Sequence, residues 1–167
     1  MSKTLLLVQK KSFLLNFVLV SVLFLIPALV SNQAITGPLV NAALLLSLIY
    51  LGQDQALILA ILPSTVALSS GLLPIVMAPM IPFIILSNII YLKTFQVLSR
   101  KKLSILAIFV AAIFKSLFLT TIVFAIMRNL LSPTITDRLF NMMTWPQLWT
   151  ATVGGALALL IKKYVRI

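Results

Sequence analysis

The stretch LSILAIFVAAIFKSLFLTTIVFAIM, Leu103 to Met127, decides the fold class because it carries only one charged residue in 25. A helix needs about 20 predominantly apolar residues to cross the hydrocarbon core of a bilayer. The whole chain has the same character. Of its 167 residues, 62% are hydrophobic and 9% are charged, whereas soluble domains carry roughly 25% charged residues. The sequence therefore predicts an all-α integral membrane protein.

Five other apolar segments accompany this one, and together they predict a six-transmembrane-helix bundle forming a single domain, residues 1–167. Several of the segments are shorter than a full membrane span, and short helices can line a cavity or thin the bilayer locally. The predicted helices are about 13–30, 37–51, 55–70, 83–98, 103–127 and 145–161.

The basic residues predict the orientation of the bundle. With six crossings, ten of them fall on one side of the membrane, and only Arg128 and Arg138 fall on the other. Cytoplasmic loops carry the excess of lysine and arginine, so both termini are expected in the cytoplasm. The ten are Lys3, Lys10, Lys11, Lys93, Arg100, Lys101, Lys102, Lys162, Lys163 and Arg166.

The residue types weigh against an enzyme. The chain has no histidine and no cysteine to serve as a base, nucleophile or metal ligand. Its two acids, Asp54 and Asp137, are expected on opposite sides of the membrane, and no G-x-x-x-x-G-K-[ST] loop is present. We expect no catalytic residue, metal or cofactor. An intramembrane enzyme that uses Lys115 stays an alternative.

Three carboxamides stand out in otherwise apolar segments. Asn41, Asn88 and Gln147 each lie a few residues in from the predicted outer end of a different helix. A carboxamide offers both donors and an acceptor, which suits a polar organic ligand. The alternative is that each one hydrogen-bonds across helices and serves packing alone. The shared depth of the three favours a ligand site.

Lys115 lies near the middle of the longest segment, where a lysine costs about 2.5–3.5 kcal/mol on insertion scales. It should face the protein interior or a hydrated cavity. It would contact a ligand, or it would bond carbonyls freed by a proline such as Pro63. Trp145 could stack on a ring of the ligand, although an interfacial aromatic belt also accounts for it.

The connector GLLPIVMAPMIPF, residues 71–83, is apolar and carries three prolines. Proline interrupts helices, so this stretch predicts a folded-back lid over the outer mouth of the bundle. Rest in the lipid interface is the alternative. The predicted lid residues are Leu72, Pro74, Met77, Pro79 and Met80.

Five stretches between residues 36 and 155 share a pattern with a known family. They are TGPLVNA (36–42), LPSTVALSSGLLP (62–74), APMIPFIILSN (78–88), IFKSLFL (113–119) and WPQLWTATVGG (145–155). With these stretches the chain resembles the substrate-binding S components of energy-coupling-factor transporters.

The resemblance implies capture of a vitamin-like micronutrient outside a prokaryotic cell and its transfer across the plasma membrane. The implied partners are a transmembrane T component and two cytoplasmic ATPase subunits, with no nucleic acid. In that family the outer helix ends form the pocket. The first segment departs from the family because it lacks the A-x-x-x-A motif that docks the T component. A non-transporting scaffold or assembly factor is the alternative.

Overall fold

The computed structural model describes the backbone of residues 3–100 and 104–165, and the side chains from Phe13 onward within those ranges. This part of the chain is helical and has no strand. A 3₁₀ helix, Ile75–Met80, leads into α5, and a π-helical turn, Val123–Met127, joins α6 to α7. The α-helices are α1 (Lys3–Leu29), α2 (Gln33–Tyr50), α3 (Gln53–Leu59), α4 (Leu62–Ser69), α5 (Ile81–Ser99), α6 (Ser104–Ile122), α7 (Arg128–Leu130), α8 (Pro133–Met143) and α9 (Trp145–Tyr164).

The prediction of an all-helical protein suited to a membrane is confirmed at this level. Three continuous helical stretches in the described residues are long and apolar enough to cross a bilayer: Gln33–Tyr50, Ile75–Ser99 and Ser104–Leu130. Large apolar side chains also cover the outside of the bundle, such as Phe13, Phe17 and Phe109, which are 74%, 63% and 50% exposed. An apolar outer surface of this kind is stable in contact with lipid.

Hydrogen bonds at both ends of α2 and α9 show how these two helices are arranged. At one end, the amide groups of Gln33 and Gln147, in the first turns of α2 and α9, both donate to the Met142 carbonyl. At the other end, the Tyr50 hydroxyl of α2 donates to the Val165 carbonyl, just after α9. Helices α2 and α9 are therefore parallel neighbours. We call the first of these the glutamine end.

Helices α2 and α9 approach closely because glycines lie between them. A Cβ atom on Gly154 would lie 2.5 Å from the Pro38 carbonyl oxygen and 2.7 Å from Cβ of Asn41. A Cβ atom on Gly37 would lie 2.7 Å from Cγ2 of Thr150. Small residues let helix backbones come together in this way. The small-residue face of α9 thus fixes the depth and position of Asn41.

The expected third helix, 55–70, is two helices. Helix α3 ends at Leu59 and α4 begins at Leu62, with Pro63 in the first turn of α4. Proline has no backbone N–H and its ring clashes with the preceding turn, so it interrupts a helix and is tolerated in a first turn. The break leaves the Ala60 carbonyl outside both helices, where it accepts a hydrogen bond from Nδ2 of Asn88.

The proline-rich connector is mostly helical, in contrast to the expected lid loop. Gly71 has a φ of 79°, which turns the chain after α4. From Ile75 the backbone is 3₁₀-helical, and it runs directly into α5. Pro79 lies in the 3₁₀ helix and Pro82 in the first turn of α5, where a missing N–H breaks no α-helical bond.

The expected outer loop between 128 and 144 is also largely helical. It contains α7 and the eleven-residue α8. Helix α8 begins with Pro133 after Ser132, and it buries Leu139 and Met143 at i and i+4. That spacing is typical of one buried helix face, and the sequence prediction overlooked it.

Candidate functional site

The centre of the site is the ammonium group of Lys115, which is 3% exposed on α6. Its Nζ atom donates to Oδ1 of Asn41 at 2.7 Å and to Oδ1 of Asn88 at 2.8 Å. These two asparagines lie on α2 and α5. The site therefore joins three helices through one buried cation.

Each asparagine is held at both ends of its amide. Nδ2 of Asn41 donates to the Gly37 carbonyl at 2.9 Å, and Nδ2 of Asn88 donates to the Ala60 carbonyl at 3.2 Å. The backbone carbonyls require the NH₂ groups, so the oxygens turn toward Lys115. The break between α3 and α4 is therefore part of the site, because it supplies the Ala60 acceptor.

Tyr91 completes the base of the site. Its ring centroid lies 5.5 Å from Nζ of Lys115, within the range of a cation–π contact. Its hydroxyl donates to the Ala151 carbonyl at 2.7 Å, and the side chain is fully buried. The ring is thereby fixed between α9 and the lysine.

A cavity of about 110 Å³ lies above this network, toward the glutamine end. Its wall is largely aliphatic, and no carboxylate is among the residues that form it. Its lining residues are Pro27, Gln33, Thr36, Gly37, Val40, Asn41, Pro63, Ser64, Ala67, Leu72, Leu73, Ile84, Asn88, Lys115, Met142, Met143 and Gln147.

The C-terminal end of α8 borders the cavity at the glutamine end. The Met142 carbonyl accepts from Nε2 of Gln33 at 3.1 Å and from Nε2 of Gln147 at 3.4 Å. The Ser116 hydroxyl of α6 donates to the Thr144 carbonyl at 3.0 Å. Three helices thus hold the turn between α8 and α9 in place over the cavity.

Four of the predicted ligand residues come together at the cavity: Asn41, Asn88, Lys115 and Gln147. Trp145 does not join them. It is 71% exposed at the start of α9 and is not part of the cavity wall. Lys115 also does not bond a backbone carbonyl near Pro63: its acceptors are the side chains of Asn41 and Asn88, and Asn88 donates to the Ala60 carbonyl.

Of the predicted lid residues, only Leu72 lines the cavity. Pro74 and Pro79 are exposed. Met77 and Met80 are buried, but they pack into a separate apolar cluster beside the cavity, which we call the methionine cluster. Its buried members are Leu73, Met77, Met80, Leu119, Val123, Met127, Leu139 and Met143.

Sequence analysis missed Gln33, Tyr91 and the roof formed by Met142 and Met143. The sequence did point to Gln33, because it is a carboxamide residue shortly before an apolar segment. It did not point to Tyr91, because an aromatic residue in an apolar helix is ordinary. The roof depends on α8, which the sequence prediction treated as a loop.

A second, larger depression of about 480 Å³ lies between the π-helical turn and α8. Its charged residues, Arg128 and Asp137, are exposed, as are Phe124, Pro133 and Phe140. No buried polar group faces it among the residues that form it. The cavity above Lys115 is the better candidate for specific binding.

Comparison of the chain with protein-family models, curated proteins and solved structures finds no match.

Proposed function

We propose that this chain is the substrate-binding S component of an energy-coupling-factor importer in a prokaryotic plasma membrane. In this proposal it crosses the membrane six times, with both termini in the cytoplasm, and captures a small vitamin-like molecule from outside. A transmembrane T component and two cytoplasmic ATPase subunits drive the transfer. The chain itself is not an enzyme and needs no cofactor.

The observation that carries the proposal is the convergence of polar groups from separate helices on one cavity. Asn41, Asn88, Lys115 and Gln147 come from α2, α5, α6 and α9, and all four line the same aliphatic space. Binding sites for small organic molecules combine an apolar wall with a few placed polar groups. Packing alone does not require these groups to leave a space between them.

The distribution of charge supports an outward cavity. Arg100 follows α5, and Lys162 and Lys163 lie in the last turn of α9, so all three lie at the end opposite the cavity. Arg128 and Arg138 lie nearer the cavity end. Basic residues mark the cytoplasmic side of membrane proteins, which favours a cavity that faces out.

The cavity is small for a vitamin. Its volume of about 110 Å³ is below the range of about 300–1,000 Å³ for sites that hold drug-sized ligands. The methionine cluster beside it contains Met77, Met80, Met127 and Met143. Methionine side chains adapt readily to new packing. We propose that this cluster rearranges when a larger ligand enters.

Native mass spectrometry of the protein in mild detergent tests the binding role. The wild-type protein should retain one small molecule. Ala67→Phe, which places a ring at the cavity wall, should lose it, whereas Ala156→Phe on an exposed position of α9 should keep it. A wild-type protein that is empty in repeated preparations, or equal retention in both variants, would contradict the proposal.

A separate experiment tests the partners. The tagged chain, purified from its own cells in mild detergent, should bring down a transmembrane T component and two ATPases in stoichiometric amounts. A ligand-loaded chain that is recovered alone would refute the importer assembly while leaving the binding role intact.

A non-transporting scaffold is the second candidate, and one observation favours it. The NH₂ groups of Asn41, Asn88 and Gln147 all donate to backbone carbonyls, at Gly37, Ala60 and Met142. Amides that only join helices would do the same. The scaffold predicts that filling the cavity with Ala67→Phe raises stability and leaves cell growth on limiting micronutrients unchanged.

A further inference from the structure

The charge balance of the cavity identifies the class of molecule that it binds. Lys115 is 3% exposed, and both of its hydrogen-bond acceptors are neutral amide oxygens. A buried charge is costly unless a partner of opposite charge or a full set of hydrogen bonds compensates it. No carboxylate of the described chain lines the cavity. When Lys115 is protonated, the site has a positive charge without a counter-charge among the described residues.

The same network has donors to spare. An ammonium group has three N–H bonds, and the described residues supply acceptors for two of them. Each asparagine amide has two N–H bonds, and one from each is engaged, by Gly37 and by Ala60. The inner part of the cavity thus has N–H groups free to donate to a ligand, and a ligand group that accepts hydrogen bonds fits it.

The charged groups of the site further restrict the class of ligand. The ammonium group of a single lysine is a compact point charge, so it suits a ligand with one negative charge. No arginine, whose guanidinium group binds phosphate through two parallel hydrogen bonds, is among the lining residues. The remaining wall combines aliphatic side chains such as Val40, Leu72 and Ile84 with four neutral polar residues. These are Gln33, Thr36, Ser64 and Gln147.

We infer that the cavity binds the monoanion of a small organic acid, with its carboxylate against Lys115 and its apolar part between the aliphatic side chains. This inference rests on the proposed binding function. The carboxylate oxygens accept from Nζ and from the free N–H of Asn41 or Asn88. The ligand then supplies the negative charge that the described chain lacks at this place.

The test uses the delipidated wild-type protein in detergent and a panel of straight-chain acids from acetate to octanoate. Each acid is compared with its primary amide and its primary amine, by thermal stabilisation and native mass spectrometry. At least one acid should bind about tenfold or more tightly than its amide, because charge-assisted hydrogen bonds are roughly twice as strong as neutral ones. The amines should not bind.

Two variants connect the preference to Lys115. Lys115→Met removes the cation and should abolish the advantage of the acid. Asn88→Asp is nearly isosteric and keeps an acceptor for Nζ, although it removes the donor to the Ala60 carbonyl. It places a carboxylate in the site, so it should weaken acid binding by a similar factor. Lys93→Met and Asn129→Asp are the matched controls outside the cavity, and both should bind the acid as the wild type does.

The outcomes separate this inference from the proposed function. An amide or amine that binds as well as its acid, or an acid preference that survives both Lys115→Met and Asn88→Asp, overturns the organic-acid inference and leaves a binding site. If no acid, amide or amine binds, and the protein also purifies without a bound molecule, both the inference and the proposed binding function are overturned.

Discussion

Lys115 on α6 donates a hydrogen bond of 2.7 Å to the amide oxygen of Asn41 on α2, seventy-four residues earlier in the chain. The bond joins two helices through the interior of the bundle, where both side chains are buried. Asn88 accepts a second bond from the same nitrogen at 2.8 Å. Together these contacts make one cation the common partner of three helices.

Loss of an acceptor should destabilise the protein. Asn88→Leu removes one of the two acceptors of Lys115 and also leaves the Ala60 carbonyl without its donor. We expect a fall of about 1–3 kcal/mol in the free energy of unfolding, the usual cost of a buried unsatisfied polar group. Denaturant titration in detergent measures it. Asn129→Leu, at an exposed position, is the control and should change stability little.

Lys115 and Asn88 should be energetically coupled. In the double variant Lys115→Met with Asn88→Leu, no buried cation is left without acceptors, so the loss should be smaller than the sum of the single losses. The expected coupling is about 0.5–3 kcal/mol, as for other side chains in one network. A double-mutant cycle gives this value. Strict additivity would mean that the 2.8 Å contact contributes nothing to stability.

The spacing of α2 and α9 should tolerate no extra carbon at Gly154. Gly154→Ala places Cβ 2.5 Å from the Pro38 carbonyl oxygen, so the helices must separate. Overpacking of this kind costs about 1–3 kcal/mol. Val153→Ala, on the exposed face of the same helix, should be close to neutral. An unchanged melting temperature for Gly154→Ala would show that the two helices are not held at this distance.

The hydrogen bonds from Gln33 and Gln147 to the Met142 carbonyl should hold α8 against the bundle. Because the chain has no cysteine, a single Leu139→Cys, at a fully buried position of α8, reports opening through its rate of maleimide labelling. Gln33→Ala combined with Gln147→Ala removes both donors to the Met142 carbonyl and should accelerate labelling several-fold. Phe140→Cys, at an exposed position, should react equally fast with and without the glutamines. Equal rates at Leu139→Cys would mean that the amides do not hold the roof.

The proposed orientation makes a prediction for intact cells. Asn129→Cys lies near the cavity end and Tyr164→Cys at the opposite end, and both positions are exposed. A membrane-impermeant maleimide should label Asn129→Cys from outside, and it should label Tyr164→Cys only after the cells are opened. The reverse pattern would place the cavity on the cytoplasmic side.

The differences between the sequence predictions and the structure have identifiable causes. A proline was expected to produce a loop in the 71–83 connector, but prolines in a 3₁₀ helix and in a first turn break no α-helical hydrogen bond. Conversely, Pro63 divides a segment that composition alone presented as one helix. Helix α8 was missed because only one of its faces is apolar. Hydropathy averaged over the whole segment is therefore low, although the buried face contains Leu139 and Met143.

The sequence by itself determined the class of protein and the short list of residues worth attention. Apolar length makes helices that suit a bilayer, and a lysine or asparagine inside such a segment must find a partner because lipid offers none. Only the tertiary structure decided which partners meet. The Lys115 contacts span 74 and 27 residues of chain, and Trp145, equally plausible from its position, faces outward. The local sequence determines which polar side chains need hydrogen-bond partners. The close packing of α2 and α9 at their glycines and the break between α3 and α4 determine where those side chains lie.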